Sequence, residues 1–401
     1  MDPRLQAQLD ELRRKIARIE ARTPAPRTPT ALDQGREAAT ASGTHWRMER
    51  SWPAHYQHGN ADVGALSELP GSLLEVLTED AGWHSPPERW AFVDTETSGL
   101  TGGAGAFAFL VGGGAITRTG FTVDQFFLRE PGEERSLLEG FTEWLAPFEV
   151  LVTYNGRAFD IPLLETRYRM CRLKPPFARM RHIDLLYSAR RLWRLALERC
   201  RLQDLEVRIL GFERVGDVGG NLIPQLYVDY LRTGHARPLD AVFHHNALDL
   251  LSLACLAAIV PAAFREPARL RSPAEMLGVA RWLRAEERIE EALELMREAA
   301  RRPLNEALLY ETLWQMADIE RKRGAHDAAV ALWSELATVR NRYQAQACER
   351  LAIHYEHRDR NATMALEMTR TALTLEPTPD LEKRRARLEA RLSRPRPARL
   401  L

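Results

Sequence analysis

RWAFVDTETSGL, residues 89–100, is an apolar run that turns acidic and then stops at Ser98-Gly99. Ala91, Phe92 and Val93 predict a buried strand, and Ser98-Gly99 predicts the turn after it. Residues two apart on a strand share a face, so Asp94 and Glu96 project together and Thr95 points away. Carboxylates at the edge of a core destabilise it unless they are paired, hydrogen-bonded or metal-bound. No Lys or Arg lies between Asp94 and Leu100. An oxygen-ligated divalent cation, Mg²⁺ or Mn²⁺, is therefore the expected partner, with Glu96 also able to orient an attacking water.

The flanking sequence extends this strand into a sheet. FAFLVGGGAITRTGFTVDQFFL (107–128) reads as two strands around a polar turn, so residues 90–128 form a three-strand meander. EERSLLEGFTEWLAPF (133–148) has helical periodicity, EVLVTY (149–154) is a buried strand, and HIDLLYSARRLW (182–193) starts another strand or a helix. Strands, helix, strand and helix in this order predict an α/β domain with helices over a mixed sheet.

Two further acids stand in comparable settings. In TYNGRAFDIPLL (153–164) the strand breaks at Asn155-Gly156, and Asp160 falls near the start of the next helix. A carboxylate there suits the cap and the dipole, and also the place beyond a strand's end where α/β sheets present ligands. In FHHNALDLLSL (243–253) His245 and Asp249 are four apart, one helical turn from each other, in a helix entered through a polar segment. His244 would share their face only if it lay just outside the helix. A histidine near a metal-bound water can act as general base.

Taken together, D-x-E, N-x-x-x-F-D and H-x-x-x-D in this order resemble the DEDD exonuclease superfamily, and more closely its YprB-like branch, over residues 88–260. DTETSGLTGGAGAFAFLVG, HIDLL and LQDLEVRILGFERVGDVGGNLIPQLYVDYLRTG fit the same resemblance. It implies an RNase H-like fold with a mixed five-stranded sheet and flanking helices. It implies that Asp94, Glu96, Asp160 and Asp249 hold two Mg²⁺ or Mn²⁺ ions about 3.5–4 Å apart, with Glu96 and His245 catalytic. His244 matches the spacing of a second subclass and is the alternative base. Asn155, Phe159 and Leu100 would line the substrate, Leu100 as a wedge against the terminal base.

The loop ERVGDVGGNLIPQLY (213–227) is Gly-rich, contains the acid Asp217, and reads as a surface connection or a cover over a substrate strand. No P-loop string occurs, and TGGAGAFAFLVGGG lacks the strand-turn-helix setting of a dinucleotide fingerprint.

The 401 residues suffice for two or three domains, and a net charge of +1 does not by itself advertise a polyanion. Local basic runs, ARRLWRLALERCR (189–201) and EKRRARLEARLSRPRPAR (382–399), are either solvated surface or polyanion contacts. Cys171, Cys200, Cys255 and Cys348 are scattered without a C-x-x-C pair. That spacing supports neither a zinc ribbon nor a redox motif and suits a reducing compartment. The N-terminus shows no apolar h-region, and no run approaches the ~18 apolar residues of a membrane helix, so the expectation is a soluble, cytoplasmic protein without a membrane partner.

Residues 1–43 are expected to be a short helix (4–22) followed by a flexible Pro, Thr and Ala linker, with the nuclease-like domain spanning 44–262. Residues 263–380 change to helices only: RIEEALELMREAA, AHDAAVALWSELA and NATMALEMTRTAL align Ala292, Ala329 and Ala365 at intervals of 37 and 36 residues. That period resembles degenerate tetratricopeptide (TPR-like) repeats, a C-terminal all-α domain able to hold a protein partner. Residues 381–401 read as a basic tail.

The leading expectation is a metal-dependent 3′-5′ exonuclease on single-stranded DNA or RNA. The alternatives are a catalytically silent nucleic-acid-binding scaffold that keeps the fold and a structure-specific endonuclease.

Overall fold

Trp90–Thr97 is a strand whose first four residues are wholly buried, and the sheet assembles around it. The computed structural model describes residues 32, 34–78, 85–99 and 106–393. The helix expected over 4–22 and Leu100 lie outside the described residues. The strands are β1 Arg36–Thr40, β2 Gly43–Pro53, a short pair β3 Gln57–His58 and β4 Ala61–Asp62, then β5 Trp90–Thr97, β6 Ala108–Thr117, β7 Gly120–Phe127, β8 Val150–Thr153 and β9 Arg181–Asp184. The helices of the same unit are α1 Gly71–Thr78, α2 Glu134–Leu145, α3 Asp160–Met170, α4 Leu185–Trp193, α5 Leu202–Leu205, α6 Ile223–Thr233 and α7 Leu239–Arg265.

The large sheet runs β1-β2-β7-β6-β5-β8-β9. β5, β6 and β7 form the expected antiparallel meander. β8 lies parallel to β5, and β9 parallel to β8, because each is reached through a helix, α2 and then α3. HIDLLYSARRLW is both elements at once, β9 and then α4.

The sheet has seven strands where five were expected. β2 pairs antiparallel with β7, and β1 pairs with β2 at the sheet's edge. Arg36–Thr40 falls in the presumed linker, so the folded region starts before Thr44. An edge strand is held by its backbone ladder more than by apolar faces, and REAAT carries no hydrophobic alternation to announce it. Its far end is tied to α2 by a hydrogen bond from Thr40 Oγ1 to Ser136 Oγ, 2.9 Å.

Two helices cover opposite faces of the sheet, and two adjacent glycines of β6, Gly112 and Gly113, make room for them. A Cβ on Gly113 would meet the Trp144 ring of α2 at 2.6 Å, and one on Gly112 would meet Asn246 of α7 at 2.2 Å. Neighbouring residues of a strand face opposite ways, so α2 and α7 lie on opposite sides.

The helix α7 corrects two expectations. It begins at Leu239, so His244 and His245 lie inside it, and it continues through Pro261 to Arg265, past the boundary placed at 262. It also contains a window of mean hydropathy 2.1, long and apolar enough to cross a membrane by composition, contrary to the reading that no run approached that length. In this fold 72% of that window is buried inside the protein, against β5, β6 and β7, which gives a core helix its uniform apolarity.

The second unit comprises Arg191–Glu198 and the residues from Glu266 onward. It holds α8 Pro273–Ala285, α9 Ile289–Ala300, α10 Glu306–Lys322, α11 His326–Thr338, α12 Gln344–His357, α13 Ala362–Leu375 and α14 Pro379–Ser393. Short connections pack successive helices together as pairs. Ala292, Ala329 and Ala365 are each fully buried at the start of the second helix of a pair, where a larger side chain would hold the helices apart. The presumed tail is structured as far as Ser393: Leu381 and Leu388 are buried, and Arg384 and Arg387 bind the buried Glu356 at 2.5 and 2.8 Å.

Candidate metal centre

The end of β5 brings Asp94 and Glu96 to the face covered by α7. Asp94 is held by α7 itself: Asn246 Nδ2 donates to its Oδ2 at 2.8 Å. Asn246 Oδ1 accepts in turn from Gln125 Nε2, 2.8 Å, and the same amide donates to the Phe243 carbonyl. Gly112, directly opposite Asp94 in the ladder, is the residue over which Asn246 reaches. Glu96 accepts no hydrogen bond from any described residue.

Asp160 opens α3, as its sequence setting predicted. The loop before it is shaped by Asn155 in a left-handed conformation, φ 64°, and by Asp184, which accepts from the backbone N–H groups of Asn155, Arg157 and Leu186 at 2.7, 3.0 and 3.1 Å. Asn155 thus acts here through its backbone. The buried carboxylate of Asp184, from the HIDLL string, is a turn-holder satisfied by three amides. Thr95 corrects another expectation: its hydroxyl donates to Asp160 Oδ1 at 2.5 Å, so the residue between the two acids also serves the cluster. Phe159 is no core residue, being 64% exposed just before Asp160.

Asp249 and His245 share one face of α7, while His244 is exposed. This helical placement favours His245 over His244 as the histidine of the site. His245 is 6% exposed, and its Nδ1 lies 2.7 Å from Asp217 Oδ2. Arg214 Nη1 lies 3.2 Å from the same Nδ1, and Nε2 faces Asp249 Oδ2, 3.7 Å away. One ligand atom each from Glu96, His245 and Asp249 lies within 4.8 Å of the others.

The 213–227 loop supplies what the sequence did not single out. Arg214, whose side chain is 8% exposed, reaches Asp249 with Nη2 and Asp217 with Nη1 at 3.0 Å. It is gripped from behind by Glu206 through Nε and Nη2 at 2.7 and 2.6 Å. Glu206 stands within LQDLEVRILGFERVGDVGG. Of Arg214, Glu206 and Asp217, the sequence had marked only Asp217, as an acid of the Gly-rich loop.

Burial raises the pKa of all four predicted carboxylates. Asp94 and Glu96 are pushed well above their usual range by desolvation and then by the neighbouring acids, Asp249 foremost. Desolvation carries Asp160 up to about 6, opposed by the Thr95 hydrogen bond. Asp249 is raised by burial against the lowering effect of Arg214. A cluster that holds its protons this tightly, with Glu96 undonated, is an oxygen-donor set short of positive charge, and it fits a divalent cation.

The chain carries an RNase H superfamily domain, matched over residues 91–260. It is 31% identical over 338 residues to the uncharacterized protein YprB of Bacillus subtilis (strain 168), an alignment covering 81% of this chain and 79% of the relative. Membership points to nucleic-acid processing, and RNase H-like nucleases use divalent metals.

Proposed function

We propose that this protein is a divalent-metal-dependent 3′-5′ exonuclease of single-stranded nucleic acid. The observation that carries the reading is the grouping of Glu96, His245 and Asp249 within 4.8 Å of one another, with Asp94 and Asp160 close enough for the acids to raise one another's pKa. These carboxylates would hold two Mg²⁺ or Mn²⁺ ions, which when bound supply activation of water and stabilisation of the leaving oxygen. His245 Nε2, turned toward Asp249, accepts the proton of the attacking water. Glu96 orients that water. The exposed ring of Phe159 offers a stacking surface for a terminal base, a contact that tolerates any sequence. The 3′-5′ direction rests on the resemblance to DEDD enzymes.

The helix pairs of the second unit are read as degenerate tetratricopeptide repeats that engage a protein partner, and the protein as cytoplasmic. The test is incubation of the purified chain with 5′-labelled single-stranded DNA and RNA in Mg²⁺ or Mn²⁺, beside Asp94→Asn. A ladder shortening from the 3′ end and abolished by EDTA and by the substitution is expected. Internal cuts would assign an endonuclease, and no cleavage by folded protein a nucleic-acid-binding scaffold.

A further inference from the structure

We propose that Arg214 is the positioning residue of this metal centre, setting the direction of Asp249 and, through Asp217, that of His245. The inference rests on reading the acidic cluster as a cation site. Every edge of the Arg214 guanidinium is committed: Nε and Nη2 to Glu206, Nη1 to Asp217 and, at 3.2 Å, to His245 Nδ1, and Nη2 to Asp249. Bidentate grip of the planar fork by Glu206 fixes its plane, which a point charge could not do.

The anchor is itself registered to the helix that carries the site. Glu206 Oε1 accepts from Ser252 Oγ at 2.5 Å, and Ser252 lies one turn beyond Asp249 on α7. His58 Nε2 completes the chain at 2.8 Å from Ser252 Oγ. Glu206 also opens a π turn, Glu206–Leu210, a helical irregularity that recurs at functional sites. With Asp249 Oδ1 tied to Arg214, its Oδ2 is the oxygen turned toward His245 Nε2. With Asp217 Oδ2 and Arg214 Nη1 on His245 Nδ1, Nε2 is the nitrogen turned toward Asp249. One arginine thus aims two of the three donor groups that lie close enough to share a cation.

The test is Mn²⁺ binding by the full-length chain, measured by calorimetry and by loss of the free Mn²⁺ paramagnetic resonance signal, without nucleic acid. Arg214→Gln is expected to weaken Mn²⁺ binding by about 10–100-fold, the range typical of groups that orient metal ligands. Arg214→Lys is expected to be nearly as weak, because an ammonium keeps the charge but cannot hold Glu206, Asp217 and Asp249 in one plane. Circular dichroism checks folding. If the Gln variant does not fold, Arg214→Lys and Asp217→Asn carry the test. Unchanged affinity in Arg214→Gln, full rescue by Lys, tighter binding on loss of the arginine, or a wild-type chain that takes up no Mn²⁺ would each overturn the proposal. A wild-type chain that binds Mn²⁺ yet hydrolyses no nucleic acid would remove the nuclease reading and leave this one standing.

Discussion

Asn246 Nδ2 meets Asp94 Oδ2 at 2.8 Å, passing over Gly112, where β6 carries no side chain. The first acid of the cluster is thereby held by the helix that also carries Asp249. Gly112→Ala should expel Asn246, since the new Cβ would stand 2.2 Å from its Oδ1. The expected cost is about 1–3 kcal/mol in urea unfolding, the usual scale for overpacking, with Mn²⁺ affinity falling in parallel. An unchanged midpoint and affinity would show that Asn246 has room to move aside.

Removing one charge from the cluster should separate stability from activity. Asp94→Asn keeps an oxygen for Asn246 and relieves repulsion from Asp249, Glu96 and Asp160. In EDTA this variant is expected to melt at a higher temperature than the wild type. It should lose the stabilisation that Mn²⁺ confers on the wild type, and hydrolysis should fall by roughly 10²-fold or more. Differential scanning fluorimetry with and without Mn²⁺ reads both signs.

Asp160 makes the metal-free protein sensitive to pH in a definite direction. Its folded pKa is about 6 against an ordinary 3.8, so between those values the folded chain holds a proton that the unfolded chain has released. Stability therefore falls as pH rises through that window, by roughly 2–3 kcal/mol from this group at about 1.4 kcal/mol per tenfold change in proton affinity. Asp160→Asn should flatten that part of the profile in chemical denaturation with EDTA present. A wild-type curve that rises from pH 4 to 6, with no difference from the variant, would contradict it.

Glu356 tests the second unit separately. It is buried and binds both Arg384 and Arg387 of α14. Glu356→Gln should loosen α14 at a cost of about 1–3 kcal/mol, less than a fully buried pair because Arg387 is half exposed. Hydrogen exchange would read this as faster exchange over residues 379–393, with the sheet unaffected.

The legible parts of the molecule were those encoded locally. Ala91 to Val93, EVLVTY and TVDQFF announced their strands because a strand's burial pattern sits in consecutive residues. Edge strand β1 was missed because backbone pairing with β2 leaves no trace in REAAT. Thr95 was misdirected because alternation gives a side chain's face but not where it reaches at a strand's end, beside the start of α3. HHNALDLL suggested a polar entry to a helix, yet the burial of His245 and Asn246 comes from β6 and from the 213–227 loop, which lie far away in the chain.

By itself the sequence determined the central strands and which acids cannot remain solitary near a core, since both follow from near-neighbour pattern and the cost of a buried charge. Only the tertiary structure decided what meets those acids. Glu206 and Arg214 are separated from Asp249 by 43 and 35 residues along the chain, and Asn246 from Asp94 by 152. Their contacts exist because packing α7 against the sheet removes water from both partners at once, a condition no local spacing records.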